Sequence, residues 1–136
     1  MLLTRQIALC PVFLLQLIFA SHAAAANDGD AQPKVVTYGS IIKMEHIESG
    51  HRLHSHKLAY GSGSGQQSVT AFPDAGDVNS YWIVKQAHQA PRIASGTVVR
   101  CGDTVRFQHL QTGFNLHSHL HRAPMTSDYE VSAYAA

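Results

Sequence analysis

Apolar and polar residues alternate in short runs along this chain, and Gly, Pro, Ser, Asn or Asp separates one run from the next. No stretch keeps a 3.6-residue period, so the pattern is that of strands and turns. Residues 35–38 are β-branched and aromatic, which suits a strand start. Residues 40–47 read as a strand with Ile41, Ile42, Met44 and Ile47 as its apolar positions. Ser49-Gly50 turns the chain and residues 52–58 run back, which is a hairpin pattern. Residues 67–72 form a third short run, closed by the turn chemistry of Pro73-Asp74-Ala75-Gly76-Asp77. Residues 80–85 form a fourth strand around the single Trp82, expected as a core anchor because indole buries a large apolar area. Residues 93–100 read as a connecting strand. The Gly/Ser-rich run 60–65 is a loop. A phosphate cradle would need a following Lys-Ser/Thr and a helix, and neither pattern is there.

The pattern then repeats. His46-Ile47-Glu48-Ser49-Gly50-His51-Arg52-Leu53-His54-Ser55-His56 lies over His109-Leu110-Gln111-Thr112-Gly113-Phe114-Asn115-Leu116-His117-Ser118-His119. Upstream, residues 39–44 match 102–107 without a gap, with Lys43 kept cationic as Arg106. Downstream, after a one-residue deletion, Val69-Thr70-Ala71-Phe72 matches Val131-Ser132-Ala133-Tyr134. This is an internal duplication. Gly50 and Gly113 take the turn position, where a short hairpin loop needs a residue with positive φ. Leu53 and Leu116 are expected to point into a core. Alternation along a strand puts His54 and His56 on one face, and His117 and His119 likewise.

The first part of the chain lies outside this pattern. Arg5, the apolar run 7–20 and Ala23-Ala24-Ala25-Ala26 have the layout of a secretory signal peptide over residues 1–26, with a polar leader over 27–34. The apolar run is shorter than the roughly 17–25 residues a membrane anchor needs, and Pro11 interrupts it. Beyond residue 26 nine basic residues face nine acidic ones and no further apolar span occurs. That neutrality argues against nucleic acid or an anionic membrane as partner. Cys101 is then the only cysteine left, which leaves three options: a bond to another molecule, a free thiol, or a partner outside this sequence.

The repeated histidines are the candidate chemistry. Two imidazole pairs on strands have the donor type for zinc, but the duplication puts the pairs on separate hairpins, so the expectation is no metal. No Ser sits in a nucleophile elbow, Cys101 has no identified His/Asn arrangement, and Asp74 and Asp77 lie in a turn. No catalytic residue and no cofactor are expected.

Gly39-Ser40-Ile41-Ile42-Lys43, Leu53-His54-Ser55-His56, Trp82 and Leu116-His117-Ser118-His119 together resemble the MIR repeat found in protein O-mannosyltransferases. A signal peptide running into Val36-Thr37-Tyr38-Gly39-Ser40 resembles the stromal-cell-derived factor 2 family. The resemblance implies an all-β fold, a β-trefoil of three MIR repeats, of which this sequence holds about one and a half. A partial MIR domain is thus expected over residues 35–136, with repeats at about 36–90 and 95–136 and the second one cut short. The family's second-repeat cysteine, the natural partner of Cys101, falls beyond it. The resemblance further implies a protein of the endoplasmic-reticulum lumen that joins Hsp70 and DnaJ-type chaperones and handles misfolded or O-mannosylated clients. The sequence ends Ser132-Ala133-Tyr134-Ala135-Ala136 instead of in a retrieval signal, which leaves secretion as the alternative. His54, His56, His117 and His119 are the expected binding residues, on the groove between the repeats. The rival expectations are an accessory role in O-mannosylation and a shortened chain without stable function.

Overall fold

A computed structural model describes residues 35–123 and 126–135. The expected signal peptide and leader lie outside these residues. The described part is all-β: β1 (Ile41–Ile42), β2 (Arg52–Ala59), β3 (Gln67–Phe72), a 3-10 turn (Val78–Ser80), β4 (Trp82–Gln86), β5 (Val105–His109), β6 (Asn115–Arg122) and β7 (Tyr129–Tyr134). They form one antiparallel sheet in the order β1-β4-β5-β6-β7-β3-β2. Its two end strands meet: Glu45 bridges Arg52, and the Leu53 amide donates to the Met44 carbonyl at 2.9 Å. The sheet therefore curls back on itself, in the β-trefoil-like architecture that the sequence resemblance implies.

The duplication is visible in the pairing. In the first hairpin Leu53 faces Ala71, His54 faces Thr70 and Ser55 faces Val69, with a register shift between Ser55 and Ala59. In the second, Leu116 faces Ala133, His117 faces Ser132 and Ser118 faces Val131, with the shift between Ser118 and Arg122. Every pair is the counterpart of the other at the sequence offset. The turns match too. The Gly50 and Gly113 amides donate to the His46 and His109 carbonyls at 2.8 and 2.9 Å, with φ of +67° and +74°. A Cβ at Gly113 would meet nothing within 4 Å, so substitution there acts through backbone strain alone. Gly113→Ala is expected to lower stability by about 1–2 kcal/mol, the cost of a left-handed conformation for an L-residue, measured by urea unfolding. Asn at the same place should lose less.

Ile42, Val69, Trp82, Val84 and Ala133 form the core, with Leu53, Leu116, Met44, Phe107 and Phe114 packed against it. Leu53 and Leu116 thus sit in equivalent, partly buried settings. Trp82 is fully buried, and its indole N–H donates to the Leu53 carbonyl at 2.9 Å. The core strand β4 is in this way tied to the first histidine motif.

Two stretches differ from the sequence expectation. The expected strand over 40–47 keeps only Ile41–Ile42 and the bridge at Glu45. The expected connecting strand over 93–100 is not one: it holds a single bridge, Thr37 to Val98. A turn closes from the Ala94 carbonyl to the Thr97 amide, and Gly96 has φ +88°. Its remaining ladder bonds go to Val36 and Tyr38, so its apolar residues cap the start of the fold instead of extending the sheet.

Candidate functional site

Each histidine pair lies where β2 or β6 leaves its turn. The rings of His54 and His56 are 5.0 Å apart, and those of His117 and His119 are 5.2 Å apart. Each pair meets an aromatic ring from the facing strand: Phe72 at 5.1 Å from His54, and Tyr134 at 5.8 Å from His117. Phe72 is 41% and Tyr134 50% exposed, so each platform is open through its aromatic ring, while His54 itself is buried. The fold brings each pair together internally and repeats the arrangement on two hairpins. Those hairpins touch through Gln67 facing Ala133 and Ser68 facing Ser132.

The serine between the histidines ties the platform down. Ser55 Oγ–H donates to the Ser68 carbonyl at 2.7 Å, and its counterpart Ser118 reaches the Glu130 carbonyl at 3.5 Å. Tyr60 joins the two repeats, its hydroxyl lying 2.8 Å from the Val69 carbonyl and 2.9 Å from the Val131 carbonyl, which are repeat counterparts.

The repeats differ in which histidine stands beside an acid. In the first, His54 Nδ1 lies 2.8 Å from Asp77 Oδ2, which also accepts from Ser80 Oγ–H at 2.6 Å. Burial pushes the Asp77 carboxyl up, but hydrogen bonds from Ser80, His54 and the Asn79 amide outweigh it and hold it below the usual range. Lys43 Nζ donates to the Ala75 and Asp77 carbonyls at 2.5 and 2.7 Å and stands 4.3 Å over the Tyr81 ring. The loop thus folds over His54 and buries it. In the second repeat it is His119 that faces an acid, with Nε2 3.4 Å from Glu130 Oε1. Its Nδ1 accepts from the His121 amide at 3.2 Å, and its buried Nε2 makes no hydrogen bond among the described residues. Glu130 is 2% exposed and accepts from the Ser64 hydroxyl and amide. Burial raises its pKa, and the two Ser64 bonds, helped by His119 and His121, bring it below the usual range.

Sequence reasoning passed over both acids. Asp77 is visible only as turn chemistry, and Glu130 reaches Ser64 across the chain, so no local spacing marks either. It passed over His109 as well, a fully buried ring 5.0 Å from Trp82. Among the described residues no three His, Cys, Asp or Glu side chains are grouped to hold a metal ion. Cys101 is exposed and makes no disulfide among the described residues.

A family description of the MIR domain matches residues 54–136. The chain belongs to the MIR domain family. It is 52% identical over 123 residues to a stromal cell-derived factor 2-like protein of Dictyostelium discoideum, covering 88% of this chain and 56% of that relative. The crystal structure of the SDF2-like protein from Arabidopsis thaliana superposes with a TM-score of 0.71 at 50% identity, over 75% of this chain and 56% of that one. The protein O-mannosyltransferase Pmt1-Pmt2 complex of S. cerevisiae, bound to its sugar donor, contains a similar domain: TM-score 0.64, 33% identity, 74% of this chain and 14% of that one. This MIR chain therefore spans about half the length of the curated relatives it matches. The names of these stromal cell-derived factor 2 relatives denote no enzymatic activity. Among the described residues no helix is long and apolar enough to cross a membrane.

Proposed function

We propose that this chain is a non-catalytic binding module of the endoplasmic-reticulum lumen that holds client polypeptide or glycan within a chaperone and quality-control complex. The observation that carries this reading is the duplicated platform of His54, His56 and Phe72 and of His117, His119 and Tyr134. An aromatic face beside polar ring nitrogens suits the apolar face and hydroxyls of a sugar, or an extended peptide. Two copies on one rigid sheet let weak contacts add through effective concentration. The acids near the histidines are largely buried and engaged in hydrogen bonds, which supports binding over acid–base chemistry. Hsp70 and DnaJ-type chaperones are the partners the family resemblance points to, with Cys101 left to a cysteine outside this sequence.

One observation favours a second reading, an accessory role in O-mannosyl transfer: the likeness to a domain of the Pmt1-Pmt2 complex. Co-purification from microsomes separates the two. Wild-type chain is expected to recover Hsp70-type chaperones with clients, and the double variant Phe72→Ala/Tyr134→Ala is expected to lose client recovery about tenfold with its melting curve little changed, since both rings are half exposed. Recovery of mannosyltransferase subunits alone would replace the first reading by the second. Equal client recovery by the double variant would remove the platforms from the argument.

A further inference from the structure

A cavity of about 340 Å³ opens on the opposite chemistry from the histidine platforms. Lys85, Arg92 and Arg106 line it, together with Tyr38, Gln86 and Ser95, and no carboxylate does. Lys85 and Arg106 face each other in register on β4 and β5. Like charges directly opposite on neighbouring strands repel, so this pair is unfavourable by itself. The chain is close to neutral overall, so general basicity does not account for three cations around one hollow.

The counterpart of Arg106 makes the contrast clear. Lys43 is covered by two carbonyls and the Tyr81 ring. Arg106 is held by neutral acceptors only, Nε donating to the Gln86 carbonyl at 3.1 Å and Nη1 to Asn115 Oδ1 at 3.3 Å. These bonds orient the guanidinium and leave its charge uncompensated. Among the described residues Lys85 and Arg92 form no salt bridge. Among the described residues the one acid bonded to a lining residue is Asp103, which accepts from Tyr38 Oη–H at 3.3 Å and from the Arg100 amide at 2.9 Å, and it does not line the cavity.

We infer that this cavity is a binding site for a small tetrahedral oxyanion, phosphate either free or as a phosphomonoester. An oriented guanidinium offers paired N–H donors to phosphate oxygens, and an ammonium and a second guanidinium on the rim complete the charge. The Ser95 hydroxyl at the wall donates to the Tyr38 carbonyl at 3.3 Å, and its one proton would have to leave that long bond to reach a bound oxyanion. The site is separate from the histidine platforms, so it stands or falls independently of the client-binding reading.

Titration of the full chain, expressed through a eukaryotic secretory host, with inorganic phosphate, glucose 6-phosphate and glucose tests it, followed by backbone amide NMR. Saturable shifts at Gly39, Lys85, Gln86 and Ser95 are expected with both phosphates and not with glucose. Tighter binding of glucose 6-phosphate identifies an ester as the ligand, and equal binding identifies free phosphate; both support the site. Lys85→Gln and Arg92→Gln, whose side chains form no salt bridge among the described residues, are each expected to weaken binding about tenfold, the loss of one charged hydrogen bond. Shifts centred on His54 or His117, unchanged affinity in both variants, or no saturable response would each overturn the proposal. A far-UV circular dichroism melt equal to wild type keeps a variant's loss of binding from being loss of fold.

Discussion

Trp82→Ala is expected to destabilise the domain by about 3–5 kcal/mol, the range for removing a large aromatic from a core. The side chain is fully buried, and it stands where β1, β4 and β5 meet: its strand positions pair it with Ile42 on one side and His109 on the other. Removal opens a cavity among Ile42, Val69, Val84 and Ala133, residues of both repeats that cannot all collapse into it. It also leaves the Leu53 carbonyl without its indole donor, which costs about 1 kcal/mol or more in a dry site. Trp82→Phe should recover most of the packing and none of the hydrogen bond, falling between the two. Guanidinium unfolding followed by far-UV circular dichroism reads all three proteins without using the indole as probe. An alanine variant within about 1 kcal/mol of wild type would mean that the tryptophan does not organise the core. Small domains have only about 5–15 kcal/mol in total, so the predicted loss is enough to populate unfolded chain.

The strand pattern made the hairpins and the Trp82 strand legible because each has a buried and an open side. The residues 67–72 expected as a strand are β3 to the residue. The limit of that reasoning lies where both sides are covered. His54 and Ser55 are adjacent, point to opposite faces of β2, and are both buried, because the loop carrying Asp77 folds over the histidine. Alternation cannot announce such a cover, since the cover comes from elsewhere in the chain. The stretch 93–100 failed for the opposite reason: its β-branched residues have the composition of a strand, but a positive-φ glycine and a turn let it pair at one position only. The platforms were half legible. The histidine spacing gave each pair, while Phe72 and Tyr134 join them through register across the hairpin, which follows from the fold.

Acid is expected to destabilise the protein first through His109. Its ring is fully buried beside Trp82, and burial pushes its pKa below the ordinary value, with the neighbouring Asn79 carbonyl opposing that only in part. The network around it assigns the neutral tautomer. Gln67 Nε2–H donates to Thr112 Oγ1 at 3.0 Å, the Thr112 hydroxyl donates to His109 Nδ1 at 2.9 Å, and His109 Nε2–H donates to the Asn79 carbonyl at 2.9 Å. Protonating Nδ1 buries a charge and sets an N–H against the Thr112 hydroxyl. With the folded pKa depressed, the unfolded chain binds the proton more readily. Stability is therefore full above the unfolded histidine pKa of about 6.5 and falls as pH drops from there towards the folded value. Asp77 and Glu130 are also depressed, and their share is lost only at lower pH, below the unfolded carboxylate range of about 4. A melting temperature that declines from pH 7 to pH 5 and declines again below pH 4 is the expected profile. His109→Gln keeps an amide N–H for the Asn79 carbonyl and has no proton to gain, so it should flatten the first decline and leave the second. His109→Ala loses the ring packing and both hydrogen bonds, about 3 kcal/mol at pH 7. If His109→Gln declined between pH 7 and pH 5 as steeply as wild type, His109 would not be the group behind that step.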